Sequence, residues 1–175
     1  AWADIAAVTL ADSVDLVHRV AVGQRIVFAP GAAQLSEPAL RIVLAHELFH
    51  YAARVDTAPD APRWLVEGVA DFVARPRTGL VDAPLPEALP SDADLDTPGL
   101  PRARGYDHAW WFARYVADVY GPATLRGLYH AACGVGHADL AGAIRAVLGV
   151  DPGTVFACWR QWLTQYAASG ITSRP

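Results

Sequence analysis

Hydrophobic and polar residues change period several times along the chain. From position 14 to 22 alternate residues are apolar, with His18 at one of those positions, and Gly23-Gln24 then leads into 25–29. A period of two broken by a Gly-first pair predicts a β-hairpin turning at Gly23-Gln24. Residues 5–10 are expected to supply a third strand. Beyond Pro30 the period lengthens. From Ser36, a good N-cap, to about Arg54, apolar residues fall on nearly every face, which predicts a buried central helix. The connection 57–62 leads to a second helix that Asp60 is expected to cap and that must stop before Pro76, because a proline disfavours helical backbone in the residue before it. The two helices form a hairpin. The stretch 76–105 holds six of the thirteen prolines and one short helical candidate near 91–95, so it reads as a long ordered loop or lid. Four more helices are predicted: about 106–120, stopped by Gly121-Pro122; 122–132; 137–148, stopped by Gly149; and 152–168, carrying Trp159, Trp162 and Tyr166. The fold class is therefore α+β, with a small, mostly antiparallel N-terminal sheet packed on the 36–54 helix and a helical C-terminal half. One domain over 1–175 is expected, strand-rich in 1–35, a helical hairpin in 36–75, Pro-rich in 76–105 and helical in 106–175.

Within the first helix the segment His46-Glu47-Leu48-Phe49-His50 interrupts an apolar run, Ile42-Val43-Leu44-Ala45 before it and Tyr51-Ala52-Ala53 after it. Two histidines at i and i+4 lie one turn apart on one face and suit a single zinc ion through their ring nitrogens. Glu47 shares that side without being needed as a ligand, which fits a base that takes a proton from a metal-activated water. Burying three such polar groups is costly unless they have partners. A solvated face or self-satisfied core histidines is the bland alternative, and the apolar flanks count against it.

Antiparallel packing of the two helices about the 57–62 connection sets His50 level with Glu67 and His46 level with Asp71. Glu67 is then expected to be the third ligand, and Asp71 to accept a hydrogen bond from the free ring nitrogen of His46, fixing that ring's tautomer and orientation. Both carboxylates share a stripe with Trp64 and Ala74, a core-facing setting that favours pairing with a cation over an exposed acidic face.

Composition narrows the classes. With 53% hydrophobic residues and 18% charged, the 175 residues can bury a substantial core. The net charge of −4 offers no footprint for a phosphate backbone, so nucleic acid is not expected as a partner. No stretch reaches the roughly 18 apolar residues of a membrane span. All 14 basic residues are arginine, and lysine, asparagine and methionine are absent, a bias expected of a GC-rich bacterial genome. The missing methionine also suggests a processed or excised piece. Cys133 and Cys158 lie on helical segments that either bridge or remain ordinary thiols.

The segment from His46 to His50, together with Trp64-Leu-Val-Glu67-Gly68-Val-Ala70-Asp71-Phe72, resembles the peptidase MA-like gluzincins, a clan of zinc peptidases. The likeness extends more loosely over about residues 25–165. It implies a zinc-dependent peptidase with one zinc per chain held by His46, His50 and Glu67, Glu47 as general base, and Asp71 behind His46. It also implies a peptide or protein substrate lying extended along a sheet edge above the active-site helix, with residues 25–29 a candidate for that edge. In similar enzymes a downstream tyrosine or histidine assists the oxyanion, which points to Tyr106, with His108 as the other candidate. Extracytoplasmic location is expected from the habit of the clan and from a Cys133–Cys158 bridge, should one form.

Two rival readings follow from the same residues. A metzincin-like site would use Asp56, which stands six residues beyond His50, as its third ligand. Ala53 replaces the glycine of that pattern, and its methionine turn has no methionine to form it. The other rival is a catalytically silent zinc-binding or interaction domain of a larger cell-envelope protein, against which the presence of Glu47 argues.

Overall fold

The structure is a computed structural model and describes residues 6–77 and 85–171. Four short strands come first: β1 (Ala7–Leu10), β2 (Ser13–Asp15), β3 (Val20–Val22) and β4 (Arg25–Phe28). A 3-10 turn, Pro30–Gln34, leads to α1 (Glu37–Ala53) and α2 (Arg63–Ala74), and then to α3 (Asp92–Asp96), α4 (Leu100–Tyr120), α5 (Pro122–Cys133), α6 (Leu140–Leu148) and α7 (Pro152–Ile171). The class is α+β, two small antiparallel sheets followed by a helical half. Among the described residues no single helix is long and apolar enough to cross a membrane.

The hairpin turns elsewhere than the alternation predicts. β2 pairs with β3 across residues 16–19, and β4 pairs with β1, Ala7 standing opposite Phe28 and Leu10 opposite Arg25. The reason is local. Asp15 accepts from the backbone N–H groups of Val17 and His18, each at 2.9 Å, and Arg19 takes the left-handed conformation at φ 56, which closes a tight turn within what reads as one strand. Gly23, at φ 64, redirects the chain instead of joining paired strands, and a Cβ there would strike the Asp12 carboxylate at 2.1 Å. His18 is exposed beside Asp15. Ile5, the first residue of the expected third strand, lies outside the described residues.

α1 starts where its signals put it, the Ser36 hydroxyl accepting from the Ala39 N–H at 3.4 Å. It is less buried than its apolar sequence predicts. Two-stranded sheets and α2 cover only part of it, which leaves Leu40, Leu44, Leu48 and Tyr51 exposed along one outer stripe. α2 is capped from a distance: Asp92, not Asp60, accepts from the Trp64 N–H at 2.8 Å, while Asp60 is exposed and faces His137. α2 does end before Pro76. The Pro-rich stretch is shorter than expected, because α4 starts six residues early, with Gly99 before it and Pro101 in its first turn, where proline's fixed φ suits a helix. Residues 78–84 of that stretch lie outside the described residues.

The core sits in the helical half. Trp110, Phe112 and Tyr115 of α4, Leu65 of α2, Leu128 of α5, Ile144 of α6 and Trp159 of α7 are fully buried together. Helices α2 and α4 touch backbone to side at Gly68, where a Cβ would lie 2.5 Å from the Ala109 carbonyl oxygen. The connection after α1 is stitched to α5, with the Ala58 N–H donating to the Cys133 carbonyl at 2.8 Å and the Thr57 hydroxyl 2.7 Å from that of Tyr129. Phe49 of α1 meets Tyr129 of α5 edge-on, with ring centroids 5.4 Å apart.

Candidate metal centre

His46 and His50, one turn apart on α1, turn their Nε2 atoms toward each other at 3.0 Å. From α2, Glu67 brings Oε2 to 3.1 Å from His46 Nε2 and 3.6 Å from His50 Nε2. Four tetrahedral bonds of about 2.0–2.2 Å would space ligand atoms roughly 3.3–3.6 Å apart. The three atoms are near that spacing already, so two imidazoles and one carboxylate could hold a metal ion between them. All three side chains are mostly buried, and three such atoms converging on one point are costly without a cation or a shared proton.

Behind the cluster, Asp71 Oδ1 stands 2.9 Å from His46 Nδ1. In a neutral imidazole this contact would hold the proton on Nδ1 and present the Nε2 lone pair to the cluster. Asp71 is itself buried and is fixed by Arg75, whose Nη1 donates to Oδ2 at 3.1 Å while Nη2 donates to Asp107 at 2.9 Å. The Arg75 guanidinium lies over the Trp110 ring at 4.3 Å, so the chain of contacts runs from ring to carboxylate to guanidinium to core. Burial works against protonation of His46, but hydrogen bonds and charges from Asp71 and Glu67 prevail and raise its pKa to about 10. Burial disfavours the Glu67 anion, yet the two histidines outweigh it and hold the carboxyl down at about 2. Without a cation, the carboxylates around His46 favour its protonated form.

Residues 3–57 match the family model of the eCIS core domain. That is less than half of the 175-residue chain; the matched segment holds the strands, His46, Glu47 and His50, and stops short of Glu67, Asp71 and Tyr106. No curated protein and no solved structure matches the chain.

The eCIS-core-like segment also supplies one wall of the cleft that opens over the cluster, a cavity of about 870 Å³. Its lining includes Ala7, Val8 and Thr9 of β1, Glu47 of α1, Val66 of α2 and Tyr106 of α4. β1, rather than the expected 25–29 strand, borders the cleft; β4 is bonded to one of its edges, and among the described residues no strand pairs with the other. Glu47 is 7% exposed and accepts from the Thr9 hydroxyl at 2.7 Å. Tyr106 faces the same space; burial, then the charges of Glu67 and Asp71, push its phenol up to about 12, so it keeps its proton at neutral pH.

One candidate and two open alternatives fall away here. His108 does not line the cleft. It follows Tyr106 by two residues, about 200° around a helix, and packs edge-on against Trp159 at 6.4 Å. Asp56 is not with the histidines either: it is ion-paired with Arg19 beside a separate, smaller hollow. Cys133 and Cys158 are unbridged, the first buried and the second exposed, and burial, with the Asp92 charge, pushes the Cys133 thiol up to about 12. Two site residues have no signal in the sequence. Thr9 is a common residue type in strands, and Arg75 reads as a helix-end cation.

Proposed function

We propose that this chain is a zinc-dependent peptidase of the gluzincin type, with His46, His50 and Glu67 as ligands and Glu47 as general base. The observation that carries the reading is the convergence of two imidazole nitrogens and one carboxylate oxygen, all within 4.8 Å of one another, beside a buried carboxylate from the same helix. Bound zinc would polarise a peptide carbonyl and make its water acidic enough to react near neutral pH. Glu47 takes the proton from the attacking water and passes it to the departing amine. Tyr106, protonated and facing the cleft, donates a hydrogen bond to the oxyanion that develops. The open edge of β1 binds the substrate backbone as an added strand and lays it across the cluster. Asp71 and Arg75 keep His46 in the tautomer that ligation needs.

The Asp56 ligand set has no support in the geometry, since that carboxylate is occupied by Arg19. An extracellular setting is supported by the likeness of residues 3–57 to the core domain of an extracellular contractile injection system. The unbridged cysteines remove the separate argument from a disulfide.

Replacing Glu47 by Gln tests the proposal. Elemental analysis should find zinc retained, and digestion of a peptide library should fall by roughly 10²–10⁴-fold. Cleavage at the wild-type rate by the Gln variant would remove Glu47 from the chemistry. A zinc-loaded wild-type chain that cleaves no peptide would refute the peptidase reading and favour a silent zinc-binding domain.

A further inference from the structure

We infer that Thr9 is the positioning residue that sets the general base, an inference that rests on the peptidase reading of the same site. Thr9, Glu47 and Asp71 are the buried polar side chains among the described residues. Asp71 is accounted for by His46 and Arg75. Thr9 and Glu47 satisfy each other: the Thr9 hydroxyl lies 2.7 Å from Glu47 Oε2 and 2.9 Å from the Glu47 main-chain oxygen. One hydroxyl has one proton, and the shorter contact to a charged acceptor is the stronger claim on it. Among the described residues no other hydrogen bond reaches the Glu47 carboxylate.

The placement is built from both sides. Ala7 and Thr9 alternate with Val8 and face down from β1. Arg54, past the end of α1, donates from Nη2 to the Thr9 carbonyl at 2.6 Å, which ties β1 to the helix that carries the metal motif. A valine would fill the same volume under the strand, so packing alone gives no reason for a hydroxyl there, and an unbonded buried hydroxyl would be costly. Anchoring Oε2 holds the side chain in one rotamer and leaves Oε1 as the atom that receives the proton of the attacking water. Thr9 transfers no proton. It fixes where the carboxylate stands, and errors of about 1 Å in such a group cost roughly a hundredfold in rate.

The test uses the zinc-loaded chain, a peptide that the wild type cleaves, and the variants Thr9→Val and Thr9→Ser. Thr9→Val should lower kcat by roughly ten- to a hundredfold while KM and zinc content stay near wild type; Thr9→Ser, which keeps the donor, should recover most of the rate. A crystal structure of Thr9→Val should show the Glu47 side chain in a different or divided rotamer. If Thr9→Val does not fold, Thr9→Ala serves in its place. Unchanged kcat in the valine or alanine variant, or a serine variant as slow as valine, overturns the inference while leaving the peptidase reading intact. If instead the wild type cleaves nothing, the peptidase reading falls, and the Glu47 rotamer in the crystal alone decides whether Thr9 fixes that carboxylate.

Discussion

Zinc should bind this chain about tenfold more tightly for each pH unit between roughly pH 7 and 9. The perturbation is protonation of His46, whose Nδ1 and Nε2 both face carboxylates, Asp71 at 2.9 Å and Glu67 at 3.1 Å. Its pKa is raised from 6.5 to about 10, the two carboxylates overcoming burial. A ligating Nε2 must give up that proton. Each pH unit below about 10 therefore costs the metal a factor of ten, about 1.4 kcal/mol, or roughly 4 kcal/mol at pH 7. Glu67, held near 2, is already ionised and adds nothing to the slope. The sign for stability runs the other way in the metal-free chain. Because the folded pKa lies above the unfolded value, the stabilisation is complete below about 6.5 and is lost as pH rises through about 10. The gap in Tm between zinc-loaded and metal-free protein should thus widen from pH 6.5 to 9. Competition against a chromophoric chelator gives the affinities, and calorimetry in buffers of different ionisation enthalpy counts about one proton released per zinc. A flat affinity over this range with no proton released would refute the assignment of His46 as the protonated ligand.

Two further changes probe the frame and the chemistry. Gly68→Ala places a Cβ 2.5 Å from a backbone oxygen of α4; overpacking of about 1–3 kcal/mol should exceed the roughly 1 kcal/mol of helix propensity that alanine gains, and urea denaturation should show net destabilisation. A Cm equal to wild type would mean that α2 and α4 are not in such close contact. Tyr106→Phe should reduce kcat by about 10²–10³ with zinc content unchanged, as expected for loss of an oxyanion donor. Full activity in that variant would return Tyr106 to a packing role.

Much of the site was legible because it depends on short-range geometry. The i, i+4 histidines and the level pairing of His46 with Asp71 and His50 with Glu67 need only helical periodicity and a short connection, and the structure brings those side chains together. The helix stops at Arg75 and Gly121 were readable from the prolines that follow them. What was illegible depends on partners distant in sequence. A polar Asp15 that looks like an ordinary strand residue builds a turn from its own side chain, so the hairpin closes at 16–19. Asp92 outcompetes the nearby Asp60 for the start of α2 only because α3 folds back onto it. Thr9 reaches Glu47 across 38 residues, a contact that no periodicity announces. The apolar pattern of α1 overstated its burial, since pattern reports what a face prefers and not how many strands are there to cover it.

The central claim is most directly tested by anomalous diffraction at the zinc edge from crystals grown with zinc. One peak should lie within about 2.0–2.2 Å of His46 Nε2, His50 Nε2 and a Glu67 carboxylate oxygen, with Asp71 still bonded to His46. A zinc bound away from these rings, or a Glu67 side chain turned out of the cluster while the metal sits on the histidines, would contradict the account.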